Sequence, residues 1–134
     1  MPVFAVYSVC RNIYPEDIGM NRIIGSSVHV VIDRPLGSAH PEHPDLIYGV
    51  NYGYIPGVIA PDGEEQDAYV LGPDRPLNEF SGIITAILVR DDDTETKWIV
   101  EQENAARLSD REILSAVHFQ ERFFRTRLLR YDPN

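Results

Sequence analysis

The chain has 134 residues, of which 43% are hydrophobic and 25% are charged, and its formal net charge is -9. This length predicts a single domain over residues 1–134, and the acidic balance disfavours nucleic acid and anionic membranes as partners. Cys10 is the only cysteine and no apolar run approaches the ~20 residues that span a bilayer, so we expect a soluble cytoplasmic protein.

The first half of the chain predicts short extended segments separated by loops. Residues 2–9 are expected to form a strand or an irregular arm, and residues 15–20 a helical turn. Residues 27–33 are rich in β-branched side chains, which favour a strand. Three prolines and a glycine indicate a loop at residues 35–45, and residues 46–54 are expected to be extended.

The middle of the chain continues this pattern. Residues 67–71 predict a short strand, and the strongly apolar residues 82–90 predict a longer one that pairs with residues 97–102. The acidic residues 91–95 are expected to form the hairpin connection. Five or so short strands in this order are typical of a small barrel or sandwich.

The end of the chain predicts one amphipathic helix on the outside of that β structure. Ser109 and Glu112 match a capping box, and apolar residues then recur at helical spacing as far as Leu128, interrupted by Glu121. His118 lies beside the apolar stripe and is expected to pack against the core. Basic residues near the predicted end would favour the helix dipole: Arg125, Arg127 and Arg130.

An aromatic and glycine-rich segment, residues 51–57, leads into three acidic side chains: Asp62, Glu64 and Asp67. Carboxylates this close repel each other unless a cation lies among them, and magnesium prefers oxygen ligands. Asp62 and Glu64 can share a face of an extended segment, and a turn at Gly63 could bring Asp67 alongside. The alternative is a solvated acidic turn.

A second group of carboxylates lies in the predicted hairpin connection: Asp91, Asp92 and Glu95. The two groups would form one site if both loops opened on the same rim of a barrel. Lys97 follows Glu95 by two residues and so faces the same side of a strand. It would form either a surface ion pair or a contact to a phosphate held by metal ions.

Two histidines offer a different possibility. His40 and His43, with His29 nearby in sequence, could supply ligands for zinc or another transition metal. The flanking prolines favour the alternative, which is a solvated loop. The sequence carries neither the glycine-rich phosphate loops of nucleotide-binding proteins nor the Gly-x-Ser-x-Gly motif of serine hydrolases.

The order of these features resembles the soluble family I inorganic pyrophosphatases. Residues 30–33 (VVID) are followed by residues 48–56 (YGVNYGYIP), by residues 62–67 (DGEEQD), and by an acidic hairpin that leads to Lys97. The resemblance implies a mainly β fold, a closed OB-like five-stranded β-barrel with a C-terminal amphipathic helix packed outside. It also implies hydrolysis of pyrophosphate to two phosphates with more than one magnesium ion.

The resemblance also implies roles for individual residues. Asp62 and Asp67 match the first and last acids of the family signature, and either Asp91 or Asp92 would join Glu95 in the hairpin. The implied metal ligands are Asp62, Asp67, Asp91, Asp92 and Glu95.

The implied catalytic residues are Glu64, Asp67 and Lys97. Glu64 stands where the family has an aspartate that helps to activate the attacking water. Tyr52 and Lys97 match residues that contact phosphate, and Asp33 stands where a glutamate supports that lysine.

The chain departs from the family pattern in its phosphate-binding half. The basic hairpin that precedes the Asn-Tyr-Gly-Tyr segment in the family is replaced by residues 36–45, which contain no lysine or arginine. The family's Tyr-Lys pair near the C-terminal helix appears as Phe123-Phe124, for which Arg122 or Arg125 could compensate. Three hypotheses follow: a divergent pyrophosphatase, a hydrolase of another phosphorylated molecule, and a non-catalytic metal- or phosphate-binding module.

Under the second hypothesis, the additional contacts to substrate would come from Arg34, His40 or His43. We also expect the chain to form a homo-oligomer.

Overall fold

The protein is described by a computed structural model that covers residues 6–10, 23–91 and 95–130. These residues form seven strands and one helix. The strands are β1 (Val6–Cys10), β2 (Ser27–Arg34), β3 (Asn51–Ile59), β4 (Glu65–Val70), β5 (Glu79–Arg90), β6 (Thr96–Glu101) and β7 (Arg125–Leu129), and the helix is α1 (Asp110–Glu121). The helical turn predicted at residues 15–20 lies outside the described residues.

Five of the strands close into a barrel, which confirms the predicted fold class. β2 pairs antiparallel with β3, β3 antiparallel with β4, and β4 parallel with β6. β5 closes the ring by pairing antiparallel with both β6 and β2. Outside the ring, β7 pairs antiparallel with β5, and β1 runs parallel to β7.

Two hydrophobic clusters explain why the central strands are apolar on both faces. Ala68 and Val70 of β4 belong to one cluster, and the intervening Tyr69 belongs to the other. Because successive side chains of a strand point to opposite faces, the first cluster fills the barrel and the second covers its outer surface. Ile113 and Val117 of α1 pack into this second cluster and are fully buried, so the helix seals the outside of the barrel.

The predicted capping box is confirmed, but the predicted length of the helix is wrong. The Ser109 Oγ accepts a hydrogen bond from the Glu112 backbone N–H, and the Glu112 carboxylate accepts one from the Ser109 N–H. The helix then ends at Glu121, and residues that were predicted to continue it form β7. In β7, Thr126 and Leu128 are buried while Arg125 is exposed, which is the alternation expected of a strand. The apolar residues of this segment also fit helical spacing, which explains the wrong prediction.

Two further predictions about this end of the chain are wrong. The arginines predicted to favour the helix dipole lie on or after β7 instead: Arg125, Arg127 and Arg130. His118, which was expected to pack against the core, is exposed on α1. No helix in the described part of the chain is long and apolar enough to cross a membrane.

Gly53 and a register shift between β2 and β3 bring the side chains of Arg34 and Tyr52 together. Gly53 lies opposite Ile32, and a Cβ atom at Gly53 would lie 1.8 Å from the carbonyl oxygen of Val31. Only glycine permits that close approach of β3 to β2. The pairing then shifts between Ile32 and Arg34, which places Arg34 opposite Tyr52. Such irregularities commonly redirect side chains at functional sites.

Candidate phosphate-binding site

A cavity of about 790 Å³ lies where the barrel meets the loop after β2 and the end of α1. Arg34, Tyr52, Asp67 and Lys97 line it from the barrel strands. The other sides carry His40 and His43 from the loop and Arg122 and Phe123 from the segment after the helix.

The centre of the cavity wall is an ion cluster around Lys97, which is only 3% exposed. Its Nζ lies 2.7 Å from Asp67 Oδ2 and 2.8 Å from Glu95 Oε2. The parallel pairing of β4 with β6 places Asp67 directly beside Lys97, and the two-residue spacing places Glu95 on the same side. Burial acts to raise the pKa of Glu95, but its hydrogen bond with Lys97 and the charges of Lys97 and Arg90 outweigh burial and lower that pKa.

Tyr52 joins this cluster to Arg34. The Tyr52 ring lies 5.5 Å from the Lys97 Nζ and 5.5 Å from the Arg34 Cζ, within reach of cation–π attraction. Asp67 also acts on its hydroxyl, through its negative charge. Burial, followed by the negative charge of Asp67, raises the pKa of Tyr52 well above its ordinary value, so this hydroxyl remains a proton donor at neutral pH.

A chain of side-chain hydrogen bonds, buried from Tyr48 onward, runs from Arg34 to the end of the helix. Arg34 Nη1 donates to the Tyr48 hydroxyl over 2.5 Å, and that hydroxyl donates to Gln120 Oε1 over 2.8 Å. Gln120 Nε2 then donates to the Tyr69 hydroxyl over 2.6 Å. The end of α1 is thereby fixed to the barrel strands through side chains rather than through backbone pairing.

The same network continues through a fully buried carboxylate, Glu121. It accepts hydrogen bonds from the Tyr69 hydroxyl at 2.5 Å, from the Thr126 hydroxyl at 3.0 Å, and from Arg90 Nε and Nη2 at 3.0 and 2.7 Å. Arg90 Nη1 reaches on to Glu95 Oε2 at 2.9 Å. Burial, followed by the charge of Glu121, raises the pKa of Tyr69 well above its ordinary value.

Arg90 and Glu121 support the site but were not predicted from the sequence to belong to it. The available signals were weak: Glu121 was the one acid interrupting an apolar helical pattern, and Arg90 ended an apolar strand. Neither feature predicts that Arg90 and Glu121 pair with each other, because these residues lie 31 positions apart in sequence.

Eight of the residues singled out from the sequence line the cavity: Arg34, His40, His43, Tyr52, Asp67, Glu95, Lys97 and Arg122. Asp62 and Glu64 lie apart from it, in the exposed turn between β3 and β4, where Asp62 Oδ1 accepts a hydrogen bond from the Glu64 N–H over 3.0 Å. Asp91 is exposed and pairs with Arg127, with 2.8 Å between Asp91 Oδ1 and Arg127 Nε. Asp92 lies outside the described residues.

The described donors do not fit a set of several magnesium ions. Within residues 23–91 and 95–130, no three histidine, cysteine, aspartate or glutamate side chains are grouped so that they could hold a metal. The carboxylates of Asp67 and Glu95 share the ammonium group of Lys97, which already supplies a cation between them. His40 and His43 have ring centroids 4.9 Å apart and are joined by no third ligand in the described part of the chain.

The structure separates the two arginines that could replace the family's basic groups. Arg122 lines the cavity, whereas Arg125 is exposed on β7 and does not line it. The segment at residues 36–45 contributes histidines and acids to the cavity in place of a basic hairpin.

No protein-family model and no curated protein sequence matches this chain. Several solved structures do match its fold. An inorganic pyrophosphatase from Neisseria gonorrhoeae aligns with a TM-score of 0.56 and 21% identity, over 78% of this chain and 80% of that one. One from Coxiella burnetii aligns with a TM-score of 0.57 and 17% identity, over 78% and 84% of the two chains.

A third, from Thermus thermophilus, aligns with a TM-score of 0.52 and 22% identity, over 72% of each chain. The likeness is therefore one of fold at low identity, in a chain that retains the barrel and the helix that covers it. The resemblance seen in the sequence is confirmed at that level: this chain has the fold of the inorganic pyrophosphatases, in a divergent form.

Proposed function

We propose that this protein hydrolyses a phosphorylated small molecule, with inorganic pyrophosphate as the preferred candidate. The observation that carries the proposal is the convergence of Asp67, Glu95, Lys97 and Tyr52 in one cavity of a pyrophosphatase-like barrel. An acidic turn that was merely solvated would leave Asp67 in water, but Asp67 lies against a buried lysine and a buried tyrosine.

The residues suggest a division of work in phosphoryl transfer. Lys97 and Arg34 would bind phosphate oxygens, and Tyr52 would donate a hydrogen bond, so that charge developing on the phosphoryl group is stabilised. Asp67 would accept a proton from the attacking water. The water oxygen would form a bond to phosphorus as the bridging P–O bond breaks, and the second phosphate would leave.

Magnesium is an expectation of the resemblance. When bound, the ions would neutralise the charge of pyrophosphate and activate the attacking water. Asp67 and Glu95 are the described carboxylates nearest to such a role, but both are paired with Lys97. Dependence of the reaction on magnesium is a separate proposal, and comparing activity with magnesium and with a chelator tests it.

The test is phosphate release from pyrophosphate, measured with magnesium and with a chelator. Asp67→Asn should lower kcat/KM by at least about a hundredfold, whereas the control Asp74→Asn, an exposed aspartate outside the cavity, should not change it. A folded wild-type protein that releases no phosphate under either condition would refute the proposal. Asp62→Asn tests whether Asp62 belongs to the site. The resemblance predicts a loss of activity, whereas the exposed position of Asp62 predicts little effect on kcat/KM.

A second candidate is an organic phosphate. The cavity, at about 790 Å³, is much larger than a pyrophosphate ion requires, and Phe123 and Phe124 line part of it. A panel of phosphorylated metabolites assayed beside pyrophosphate tests this candidate. If pyrophosphate is clearly the best substrate, the organic alternative fails.

Binding without turnover is the third possibility, and calorimetry with magnesium and with phosphate ligands distinguishes it from catalysis. We also propose a homo-oligomer, which light scattering coupled to size exclusion would test. A cytoplasmic location remains a proposal supported by the single cysteine.

A further inference from the structure

The guanidinium groups of Arg34 and Arg122 differ from the other cations at the cavity because they form no ion pair with a described carboxylate. Lys97 and Arg90 are engaged with carboxylates at 2.7–3.0 Å. Arg34 and Arg122 also line the cavity, but neither has a carboxylate within ion-pair distance among the described residues. Their positive charge is therefore not neutralised by a direct partner in this part of the chain.

Arg122 has a buried donor without an acceptor. The residue follows the last turn of α1, and its Cζ lies 4.8 Å from the centre of the Phe123 ring. Its Nε is buried and has no hydrogen-bond partner among the described residues. Stacking on Phe123 orients the plane of the guanidinium but satisfies none of its N–H groups, and a buried donor that stays unpaired destabilises the protein.

Arg34 approaches from the barrel. One of its N–H groups is used by the Tyr48 hydroxyl, which in turn donates to Gln120, two residues before Arg122. The guanidinium carries five N–H donors, so several remain for a ligand. The hydrogen bonds through Tyr48 and Gln120 thus connect the barrel side of the cavity, where Arg34 lies, to the helix end that carries Arg122.

We propose that Arg34 and Arg122 together bind the phosphoryl anion of the ligand, one from the barrel and one from the end of the helix. Planar guanidinium groups suit this task because each can donate two parallel hydrogen bonds to phosphate oxygens. The class of ligand rests on the proposed function; the assignment of Arg122 rests on its place in the cavity lining without an ion-pair carboxylate among the described residues. Glu42 and Asp45 also line the cavity, but both are exposed to solvent, which screens their repulsion of an anion.

Calorimetric titration with methylenediphosphonate, an analogue of pyrophosphate that is not hydrolysed, tests the proposal. Titrations are run with a chelator and again with magnesium. Arg122→Ala should raise Kd at least about tenfold, because charge-assisted hydrogen bonds are lost. Arg122→Lys keeps the charge but not the planar fork, and should give a smaller rise.

Arg111→Ala is the matched control. Arg111 is an exposed arginine near the other end of the same helix and does not line the cavity, so its Kd should stay within about twofold of the wild type. Thermal melting of each variant identifies loss of folding. If Arg122→Ala does not fold, the comparison of Arg122→Lys with the wild type decides the question.

The outcomes separate this inference from the proposed function. A wild-type Kd in both Arg122 variants, or no binding of the analogue by the wild-type protein, would overturn the inference even if pyrophosphate is hydrolysed. Binding that depends on Arg122 without any phosphate release would support the inference while the proposed hydrolysis fails.

Discussion

Removal of the Glu121 carboxylate should lower the free energy of unfolding more than removal of any exposed carboxylate of this protein. Glu121 is 0% exposed, and it holds Arg90, which is 5% exposed, through two hydrogen bonds. In Glu121→Ala the guanidinium stays buried but loses its main partner, and such a loss typically costs ~3–5 kcal/mol. Arg90 keeps Glu95 at 2.9 Å, so we expect a cost near the lower end, about 3 kcal/mol.

Urea unfolding followed by circular dichroism measures this cost. A loss of about 3 kcal/mol is a large part of the ~5–15 kcal/mol that stabilises a typical domain, and corresponds to a fall in Tm of roughly 10 °C. Glu103→Ala, at an exposed position after β6, is the control and should change stability by less than about 0.5 kcal/mol.

A double-mutant cycle tests whether the cost arises from the ion pair itself. Arg90→Met and Glu121→Leu should each destabilise the protein, and the double variant should be less destabilised than their sum by about 1–3 kcal/mol. If Glu121→Ala costs less than about 1 kcal/mol, or if the two substitutions are simply additive, the argument that this pair anchors the helix end is refuted.

Three further predictions concern the cap, the barrel register and the ion cluster. Ser109→Ala removes the side-chain acceptor of the capping box and should cost about 1 kcal/mol in thermal unfolding; no change in Tm would contradict that role. Gly53→Ala places a Cβ atom 1.8 Å from the Val31 carbonyl oxygen, so the variant should fail to fold, and a wild-type circular dichroism melt would contradict the register. Because the pKa of Glu95 is lowered by Lys97, its stabilising contribution is present above the ordinary value of 4.5 and is lost as pH falls through the lowered pKa. Glu95→Gln should therefore flatten the acid limb of a stability–pH profile, and an unchanged limb would argue against the pairing.

The local features of the fold could be predicted because they depend on neighbours in sequence. The capping box at Ser109 and the strand at β2 follow from side-chain chemistry within a few residues. The helix end could not be placed, because residues 124–128 fit a helical and an alternating pattern equally well. Pairing of Leu128 with Leu88 of β5 decides in favour of the strand, and that contact is remote in sequence.

The candidate site also has a part that could be predicted from local sequence and a part that depends on the fold. The spacing of Glu95 and Lys97 was enough to place them on one face of a strand. Asp67 meets Lys97 only because β4 and β6 are parallel neighbours, and Asp62, five residues earlier, stays in an exposed turn. Sequence proximity therefore grouped the acids differently from the fold.

The sequence by itself determined the class of fold, the capped start of the helix and the placement of Glu95 and Lys97 on one face of a strand. The tertiary structure decided which charges pair, namely Asp67 with Lys97 and Glu121 with Arg90. It also decided that Arg122 lines the cavity. The physical reason is that a carboxylate in a protein interior must be compensated by a partner of opposite charge or by hydrogen-bond donors. Here strand pairing and the position of the helix end supply those partners from about 30 residues away.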